Sequence, residues 1–233
     1  MAERLLLSRA VGPVSSWPTW LHTGMDTDRF LRELPDQLED VSRFAEILEA
    51  VPGLAKPNNL ALLNVAARCL GEGESYVEVG TFHGTSLISA RLGNEGDFVA
   101  IDNWSMGDGS REQLDANLAR YGLHATMIEG DAFETLRGGA LEGRTVGVYY
   151  YDNGHEYEQQ LDGMRLVEPY LASPALVIVD DTDWERVERA VDDYLAQQPQ
   201  ATELLRIDGK DRGHPEWWEG MRVFRWAAST SQG

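Results

Sequence analysis

Three carboxylates stand at the ends of two short apolar runs, where they could bind a cation. Asp152 follows the run Val146 to Tyr151, and the adjacent pair Asp180 and Asp181 follows Leu176 to Val179. If these runs are neighbouring parallel strands, their ends lie about 5 Å apart. Carboxylates this close repel one another unless a cation or a shared proton compensates them. Oxygen ligands favour a hard divalent ion, so we predict Mg²⁺ at Asp152, Asp180 and Asp181, with Ca²⁺ or Mn²⁺ as substitutes in vitro.

A general base could stand beside these carboxylates. His155 lies three residues after Asp152, and an imidazole titrates near neutrality. Either His155 or Asp152 could remove a proton from a bound hydroxyl, and the sequence leaves both open. The alternative role for the aspartate pair is structural, because the same segment precedes a helix predicted from Trp184 to Gln197. Thr182 or Asp183 is the residue we expect to cap that helix.

A glycine-containing loop follows the first predicted strand of the sheet. It reads Glu78-Val-Gly80-Thr-Phe-His-Gly84, and both glycines allow the backbone to turn sharply and to approach a ligand closely. The helix that follows offers free amide groups at its start. A dinucleotide fingerprint would need glycine at Phe82, so NAD, FAD and dehydrogenase chemistry are disfavoured.

The pattern Glu-x-Gly-x-x-x-Gly resembles motif I of class I S-adenosylmethionine-dependent methyltransferases, which implies that the loop holds the methionine part of S-adenosylmethionine. By the same resemblance, Asp102, at the end of the second predicted strand, would meet the ribose hydroxyls. Asp131, in Gly130-Asp-Ala-Phe133, would accept a hydrogen bond from the adenine amine. The predicted cofactor-binding residues are Glu78, Gly80, Thr81, Gly84, Ser86, Asp102, Asp131 and Ala132.

The acidic segments resemble metal-dependent sugar O-methyltransferases of the macrocin and novobiocin tailoring type, and similar proteins that methylate mycobacterial polysaccharide sugars. Tyr150-Tyr-Asp-Asn-Gly-His-Glu-Tyr157 and Val177-Ile-Val-Asp-Asp181 carry this resemblance, which spans about residues 75 to 227. It implies Mg²⁺-dependent methyl transfer to a sugar hydroxyl, because a metal that binds two adjacent hydroxyls lowers the pKa of one. The family commonly reads Asp-Gly-x-His where this chain has Asp152-Asn-Gly-His155, and this departure bears mainly on His155.

These residues can meet only if the chain forms a parallel α/β sheet. Short, apolar, β-rich segments alternate with helical ones, as such a sheet requires. The predicted strands are residues 76–79, 98–101, 125–128, 146–151 and 176–179, with 203–207 and 221–226 as an antiparallel edge. We therefore expect a Rossmann-like class I methyltransferase fold: a seven-stranded, mostly parallel sheet with helices on both faces and an N-terminal helical cap.

Residues 1–72 are predicted to form an arm and a helical cap over a core of residues 73–227, followed by a disordered tail of residues 228–233. The arm covers residues 1–27. Apolar residues then recur every three or four positions from Asp28 to about Ala50, which predicts one amphipathic helix, and a second helix is expected from about Asn59 to Leu70. Near the other end, Trp217 and Trp218 could line an acceptor pocket or pack on the sheet.

The composition excludes several kinds of partner. The chain has 233 residues with 20 basic and 39 acidic side chains, and a net charge of -19 would repel nucleic acid and anionic membranes. Because no apolar segment approaches the ~20 residues of a membrane span and no secretory signal is recognisable, we expect a cytoplasmic protein. Cys69 lies in an apolar run and is predicted to be a buried structural thiol. The expected partners are a sugar acceptor and, because the arm could reach another subunit, a second copy of the chain.

Two further functions fit the same residues. The chain could be a metal-independent methyltransferase that uses a histidine or carboxylate base on another small molecule. It could also be a non-catalytic module that retains a nucleoside pocket, although the pair Asp180 and Asp181 would then have no purpose.

Overall fold

The structure is a computed structural model that describes residues 24–105, 109–210 and 212–228. Within them the chain forms eight α-helices and seven strands. The predicted arm, except for its last four residues, and residues 229–233 of the predicted tail lie outside this description. The elements in chain order are α1 Thr27–Glu39, α2 Ser42–Ala50, α3 Pro57–Arg68, β1 Glu74–Val79, α4 Thr85–Arg91, β2 Asp97–Asp102, α5 Arg111–Arg120, β3 Thr126–Glu129, α6 Ala132–Arg137, β4 Thr145–Tyr151, α7 Tyr157–Val167, β5 Leu171–Val179, α8 Glu185–Gln197, β6 Ala201–Ile207 and β7 Met221–Trp226.

The strands form one sheet in the order β3-β2-β1-β4-β5-β7-β6. Strands β1 to β5 are parallel, whereas β7 runs antiparallel to both β5 and β6. The predicted mixed sheet and its antiparallel edge are confirmed. The strand order reverses between β1 and β4, which is where open α/β sheets bind their ligands. In the part of the chain that the structure describes, no helix combines the length and apolar character needed to cross a bilayer.

Alternating side chains of the strands point into two separate apolar layers. Tyr76 and Tyr150 face the layer formed with helices α1 to α5. Tyr149 and Tyr151 face the layer formed with α6, α7 and α8. Because successive strand residues point to opposite faces, both faces of the sheet are apolar and both are covered by helices.

The N-terminal region differs from prediction in having two helices where one was expected. Helix α1 ends at Glu39, because Asp40 adopts an extended conformation and its carboxylate accepts hydrogen bonds from both the backbone and the hydroxyl of Ser42. Helix α2 then starts afresh at Ser42. An aspartate that bonds a backbone amide two residues ahead favours a turn over a continuing helix, and apolar periodicity alone does not detect this.

Helix α3 is buried along almost its whole length, with ten of its twelve residues inaccessible to solvent. Its Asn64 donates hydrogen bonds to the carbonyl oxygens of Ser89 and Leu92, at 2.7 and 2.8 Å, and so joins α3 to α4. Cys69, at the end of α3, is buried as predicted, and burial raises the pKa of its thiol to about 12.

The prediction that Thr182 or Asp183 caps helix α8 is wrong. The capping residue is Trp184, and its side chain makes no capping hydrogen bond. The two polar residues instead face the loop between β6 and β7: the backbone amide of Thr182 donates to Gly220, and the carboxylate of Asp183 accepts from Gly209. This loop is therefore held against the end of β5.

Gly80 brings the loop after β1 into direct contact with the end of β4. Its φ is +87°, and a Cβ atom built on it would lie 1.9 Å from the carbonyl oxygen of Asp152. Only glycine permits both this conformation and this approach.

We expect Gly80→Ala to lower the free energy of unfolding by about 3 kcal/mol or more, because the methyl group would collide with the backbone at Asp152. Gly93→Ala is the matched control, since Gly93 has φ +75° but nothing within 4 Å of the added Cβ. The control should lower the free energy of unfolding by only about 1–2 kcal/mol, which is the cost of an alanine in a left-handed conformation. Urea unfolding measures both, and equal losses would show that the close contact at Gly80 has no energetic effect.

Candidate active site

The ends of β1, β2, β4 and β5 are joined by backbone hydrogen bonds that continue past the strands. The amide of Gly80 donates to Ile101 at 3.0 Å, that of Asp152 to Val79 at 2.9 Å, and that of Asp180 to Tyr151 at 3.1 Å. The loop after β1 and the acidic residues after β4 and β5 are thereby fixed at one edge of the sheet. The sequence prediction that these segments meet is confirmed.

Among the residues that the structure describes, Asp152, His155 and Asp181 form a group that could hold an ion. One ligand atom from each lies within 4.8 Å of the other two. His155 Nε2 lies 2.5 Å from Asp181 Oδ2. Asp181 has φ +56°, a left-handed conformation that is uncommon for residues other than glycine and that tends to occur at functional sites.

Asp180 is adjacent to this group but has a different partner. Its Oδ2 accepts a hydrogen bond from the Tyr150 hydroxyl, and its Oδ1 accepts from the amide of Asp181 at 2.9 Å. The Tyr150 hydroxyl also lies 3.3 Å from Asp152 Oδ2. Thus the three predicted metal ligands are neighbours, but the carboxylate of Asp180 points to Tyr150, while His155 completes the group with Asp152 and Asp181.

Burial and repulsion by neighbouring charges disfavour the ionised forms of Asp152 and Asp180. Burial, with the charges of Asp180 and Asp181, raises the pKa of Asp152 well above its ordinary value. Burial also raises the pKa of Asp180 to about 7, with Asp181 adding to the effect. The hydrogen bond to Asp181 raises the pKa of His155, since it favours the imidazolium. A divalent cation would relieve the same repulsion. The two carboxylates are suitable donors for Mg²⁺ or Mn²⁺, whereas the imidazole is a donor better suited to softer ions such as Zn²⁺.

Glu78 lies fully buried beneath the loop that follows β1. Its carboxylate accepts hydrogen bonds from the Tyr76 hydroxyl at 3.0 Å and from the Ser86 hydroxyl at 2.8 Å. Burial raises the pKa of Glu78 to about 7. Two of the predicted cofactor residues, Glu78 and Ser86, are therefore bonded to each other, and a third, Thr81, is buried beside them.

Asp102 holds the loop after β1 in place. Its Oδ2 accepts from the amides of Thr81 and Phe82 at 2.7 and 2.8 Å, and its Oδ1 accepts from the amide of Trp104 at 2.7 Å. Phe82 has φ +48°, so the position where a dinucleotide fingerprint has glycine is left-handed here as well. A carboxylate has about four acceptor sites, so three accepted bonds leave Asp102 about one more, and the ribose contact predicted for it stays a prediction.

Asp131 and Ala132 lie at the edge of the sheet, at the start of α6. Asp131 caps this helix, with Oδ1 accepting from the amides of Phe133 and Glu134 at 3.0 Å each. Its side chain is exposed, whereas Ala132 is buried. The adenine contact predicted for Asp131 stays a prediction, and its second oxygen is the one available for it.

Tyr150 is a site residue that the sequence predictions did not include. It lies two positions before Asp152 and is paired in register with Glu78 and Ile178, so its side chain points to the same face of the sheet as those of Glu78 and Asp152. This spacing of two was the signal that could have identified it. Of the two tryptophans considered for an acceptor pocket, Trp217 is buried in the apolar layer. Trp218 lies under the guanidinium of Arg212.

Comparison with known proteins agrees with this arrangement. Residues 77–182 match a family described as a methyltransferase domain. Among solved structures, the chain is similar to the O-methyltransferase TomG from Streptomyces achromogenes, involved in tomaymycin synthesis and solved with S-adenosylmethionine, at 20% identity and a TM-score of 0.59 over 80% of this chain and 89% of that one.

Two other solved structures extend this comparison. An O-methyltransferase from Bacillus cereus, solved with S-adenosylhomocysteine, shares 16% identity at a TM-score of 0.56, over 84% of this chain and 90% of that one. CalS11, a TDP-rhamnose 3'-O-methyltransferase of calicheamicin biosynthesis, shares 19% identity at a TM-score of 0.50, over 86% of each chain. No match to the sequence was found among curated proteins. The likenesses establish the class I methyltransferase fold, and the family match supports a methyltransferase.

The raised pKa values predict how stability depends on pH in the metal-free protein. An unfolded aspartate titrates at pH about 4, whereas Asp180 titrates at about 7 in the fold, so between these values the folded chain binds one proton more than the unfolded chain. The free energy of unfolding of the wild type therefore falls as the pH rises through this window. Asp180→Asn cannot ionise and does not lose this stability. The variant should gain stability relative to wild type by up to about 1.4 kcal/mol per pH unit in this window.

Urea unfolding in EDTA at several pH values measures this difference. Asp115→Asn, at an exposed position on α5, is the isosteric control and should follow the wild type. A pH-independent difference between Asp180→Asn and wild type would contradict the predicted protonation of Asp180.

The contacts of Asp102 also predict its contribution to cofactor binding. Asp102→Asn would present an amide N–H₂ group to backbone N–H donors, so the loop should lose its geometry and S-adenosylhomocysteine should bind at least about 10-fold more weakly. Asp97→Asn is the control from the other end of β2, where Asp97 bonds Ser75 and Arg144. Calorimetric titration should show unchanged affinity for Asp97→Asn, and an equal loss in both variants would argue against a local role of Asp102.

Proposed function

We propose that this chain is an S-adenosylmethionine-dependent O-methyltransferase that requires Mg²⁺ and methylates a sugar hydroxyl. The observation that carries the proposal is the placement of Asp152, His155 and Asp181 within 4.8 Å of one another at the sheet edge. The Gly80 backbone contacts the Asp152 carbonyl, so the loop expected to bind the methyl donor lies next to these residues.

The donor would bind over the loop after β1. Asp102 retains one acceptor site toward a ribose hydroxyl. Two of its other three sites fix the amides of Thr81 and Phe82 in this loop, and the third accepts from the amide of Trp104 after β2. Asp131 presents its free carboxylate oxygen toward solvent at the end of β3, where the adenine of the donor is expected. Glu78 lies beneath the loop after β1 and supports it, because its hydrogen bonds from Tyr76 and Ser86 hold the start of α4 against β1.

Mg²⁺ would be held by Asp152 and Asp181. Asp180 stays a predicted third ligand, and it would have to give up its hydrogen bond from the Tyr150 hydroxyl in order to bind the ion. When bound, the ion would polarise an acceptor hydroxyl, lower its pKa and fix its direction. Asp152 and Asp180 would then carry their negative charges beside an opposite charge, which removes the repulsion described above.

In the transfer, a lone pair of the acceptor oxygen forms a bond to the donor's methyl carbon while the carbon–sulfur bond breaks, and the sulfonium becomes a neutral thioether. The hydroxyl proton passes to a base, for which His155 and Asp152 are the two candidates. The His155 side chain is 25% exposed and adjacent to Asp181, so it can be reached from solvent as well as from the group of carboxylates. His155→Gln keeps the size of the side chain while removing its basicity.

A sugar acceptor suits the site because neighbouring ring hydroxyls can chelate one ion. The fold is shared with a TDP-rhamnose 3'-O-methyltransferase, which is consistent with this proposal. Catechols offer the same pair of neighbouring hydroxyls and are the acceptor class to test against sugars. A labelled-methyl assay over glycosides, nucleotide sugars and catechols, each with and without Mg²⁺, separates the two, and labelling of catechols alone would refute the sugar assignment.

The role of the metal makes a direct prediction. Methyl transfer should stop in EDTA and return when Mg²⁺ is added. Asp181→Asn should lower kcat at least about 100-fold, because it removes a ligand and the partner of His155. Its affinity for S-adenosylhomocysteine should stay within about threefold of wild type, because the loop after β1 is unaffected.

Asp162→Asn is the matched control for Asp181→Asn. Asp162 is a half-exposed aspartate of α7 that pairs with Arg137, and the substitution should leave kcat unchanged. Undiminished methyl transfer after exhaustive EDTA treatment would identify a metal-independent enzyme. No labelled product from any acceptor would favour the non-catalytic module.

A further inference from the structure

Glu219 is a buried carboxylate to which the proposed chemistry assigns no role. It lies in the loop between β6 and β7 and is 1% exposed. Its two oxygens accept hydrogen bonds from the indole N–H of Trp184 and from the guanidinium of Arg212. The backbone around it is tightly packed, since a Cβ on Gly209 would lie 2.3 Å from the carbonyl carbon of Glu219. Glu219 is therefore a rigid anchor for the Trp184 ring.

The Trp184 ring lies against the imidazole of His155. The ring centroids are 4.8 Å apart, with 35° between the ring planes. The Trp184 amide donates to the carbonyl of Asp181 at 3.1 Å, which fixes the tryptophan to the end of β5. Hence His155 is held from two sides, by the Trp184 ring and by the Asp181 carboxylate.

The loop that carries His155 has few other restraints near the imidazole. Gly154, immediately before it, has φ +55°, and its carbonyl accepts from Gln160 at 2.9 Å. That bond positions the backbone but leaves the torsions of the histidine side chain free. The orientation of the imidazole therefore depends on its neighbours, Trp184 and Asp181.

We propose that Trp184 and Glu219 are positioning residues for His155, and that through them the loop between β6 and β7 sets the direction of the imidazole. The inference rests on the proposed function for its catalytic consequence, but its structural part can be tested without turnover. Glu219 acts through Trp184, and Trp184 acts through ring contact with His155. A misdirected imidazole would slow transfer without altering donor binding, because positioning errors of about 1 Å can cost about 100-fold in rate.

The test compares four variants. Trp184→Phe keeps an aromatic ring but removes the N–H that Glu219 accepts, and Glu219→Leu removes the acceptor. Glu219→Gln keeps one oxygen to accept from the indole N–H of Trp184. Its amide group then faces Arg212, whose half-exposed guanidinium can turn toward solvent, so this variant should behave as the wild type. Trp226→Phe is the matched control, because Trp226 lies at the opposite end of β7, paired with Ala175 and Ala201 and away from the carboxylates.

The first readout is the NMR spectrum of the histidine ring protons at one fixed pH. The chain has five histidines, and the His155 signals are those lost in His155→Gln. The ring current of the Trp184 indole should displace the His155 signals by the same amount in the wild type, in Glu219→Gln and in Trp226→Phe. In Trp184→Phe and Glu219→Leu these signals should move by an amount larger than any other histidine signal.

The second readout is the kinetics of methyl transfer. We expect Trp184→Phe and Glu219→Leu to lower kcat at least about 10-fold while the Kd for S-adenosylhomocysteine stays within about twofold. Unmoved His155 signals in Glu219→Leu, which keeps the indole ring, would overturn the proposal. In Trp184→Phe the loss of the indole changes the ring current by itself, so that variant is judged by its kinetics. Moved signals in Glu219→Leu with no methyl transfer in the wild type would leave the positioning role standing and reject the proposed function. If Glu219→Leu does not fold, Glu219→Met takes its place, because it also removes the acceptor and is closer to glutamate in shape.

Discussion

The structure depends on how it keeps buried carboxylates close together at one edge of a sheet. Glu78 and Asp180 are nearly inaccessible to solvent and Asp152 is partly buried, and each would be costly as an unpaired anion. The fold surrounds them with donors: Tyr76 and Ser86 bond Glu78, and the Tyr150 hydroxyl lies between Asp152 and Asp180. Such an arrangement sacrifices stability unless a proton or a cation is taken up, which is typical of a site kept for function.

The helical layer on one face of the sheet is connected to both sides of this edge. The segment between α2 and α3 lies over the loop after β1: the hydroxyl of Thr85 donates to the carbonyl of Val51 at 2.9 Å, and His83 Nδ1 lies 3.1 Å from the carbonyl of Pro52. At its other end, Lys56 bonds the carbonyl of His214 in the loop between β6 and β7. One short segment thus joins the expected donor side to the loop that holds Trp184.

Much of the fold and part of the site could be predicted from the sequence because their causes are local. Apolar runs ending in aspartate located the strands and, since parallel strands end at one edge, also brought Asp152 and Asp181 together. The break at Asp40 and the partner of Asp180 were not predictable in this way. The break depends on the Asp40 side chain, which accepts hydrogen bonds within the turn that it starts. The partner of Asp180 is Tyr150, which lies 30 residues earlier in the chain. The contact of Trp184 with Glu219 joins a helix cap to a distant loop, for which no periodicity exists.

The burial of α3 makes it difficult to exchange the helical layer between related proteins. A helix with ten of twelve residues inaccessible cannot be treated as a detachable accessory, although it precedes the first strand. Asn64 donates hydrogen bonds to the carbonyl oxygens of Ser89 in α4 and of Leu92 directly after it. Asn59 accepts a hydrogen bond from the amide of Trp218 at 3.0 Å, and its side-chain amide contacts the sulfur of Met221. Any replacement of the helical layer would have to reproduce these polar contacts, so exchange of this layer between relatives should be rarer than exchange of its surface residues.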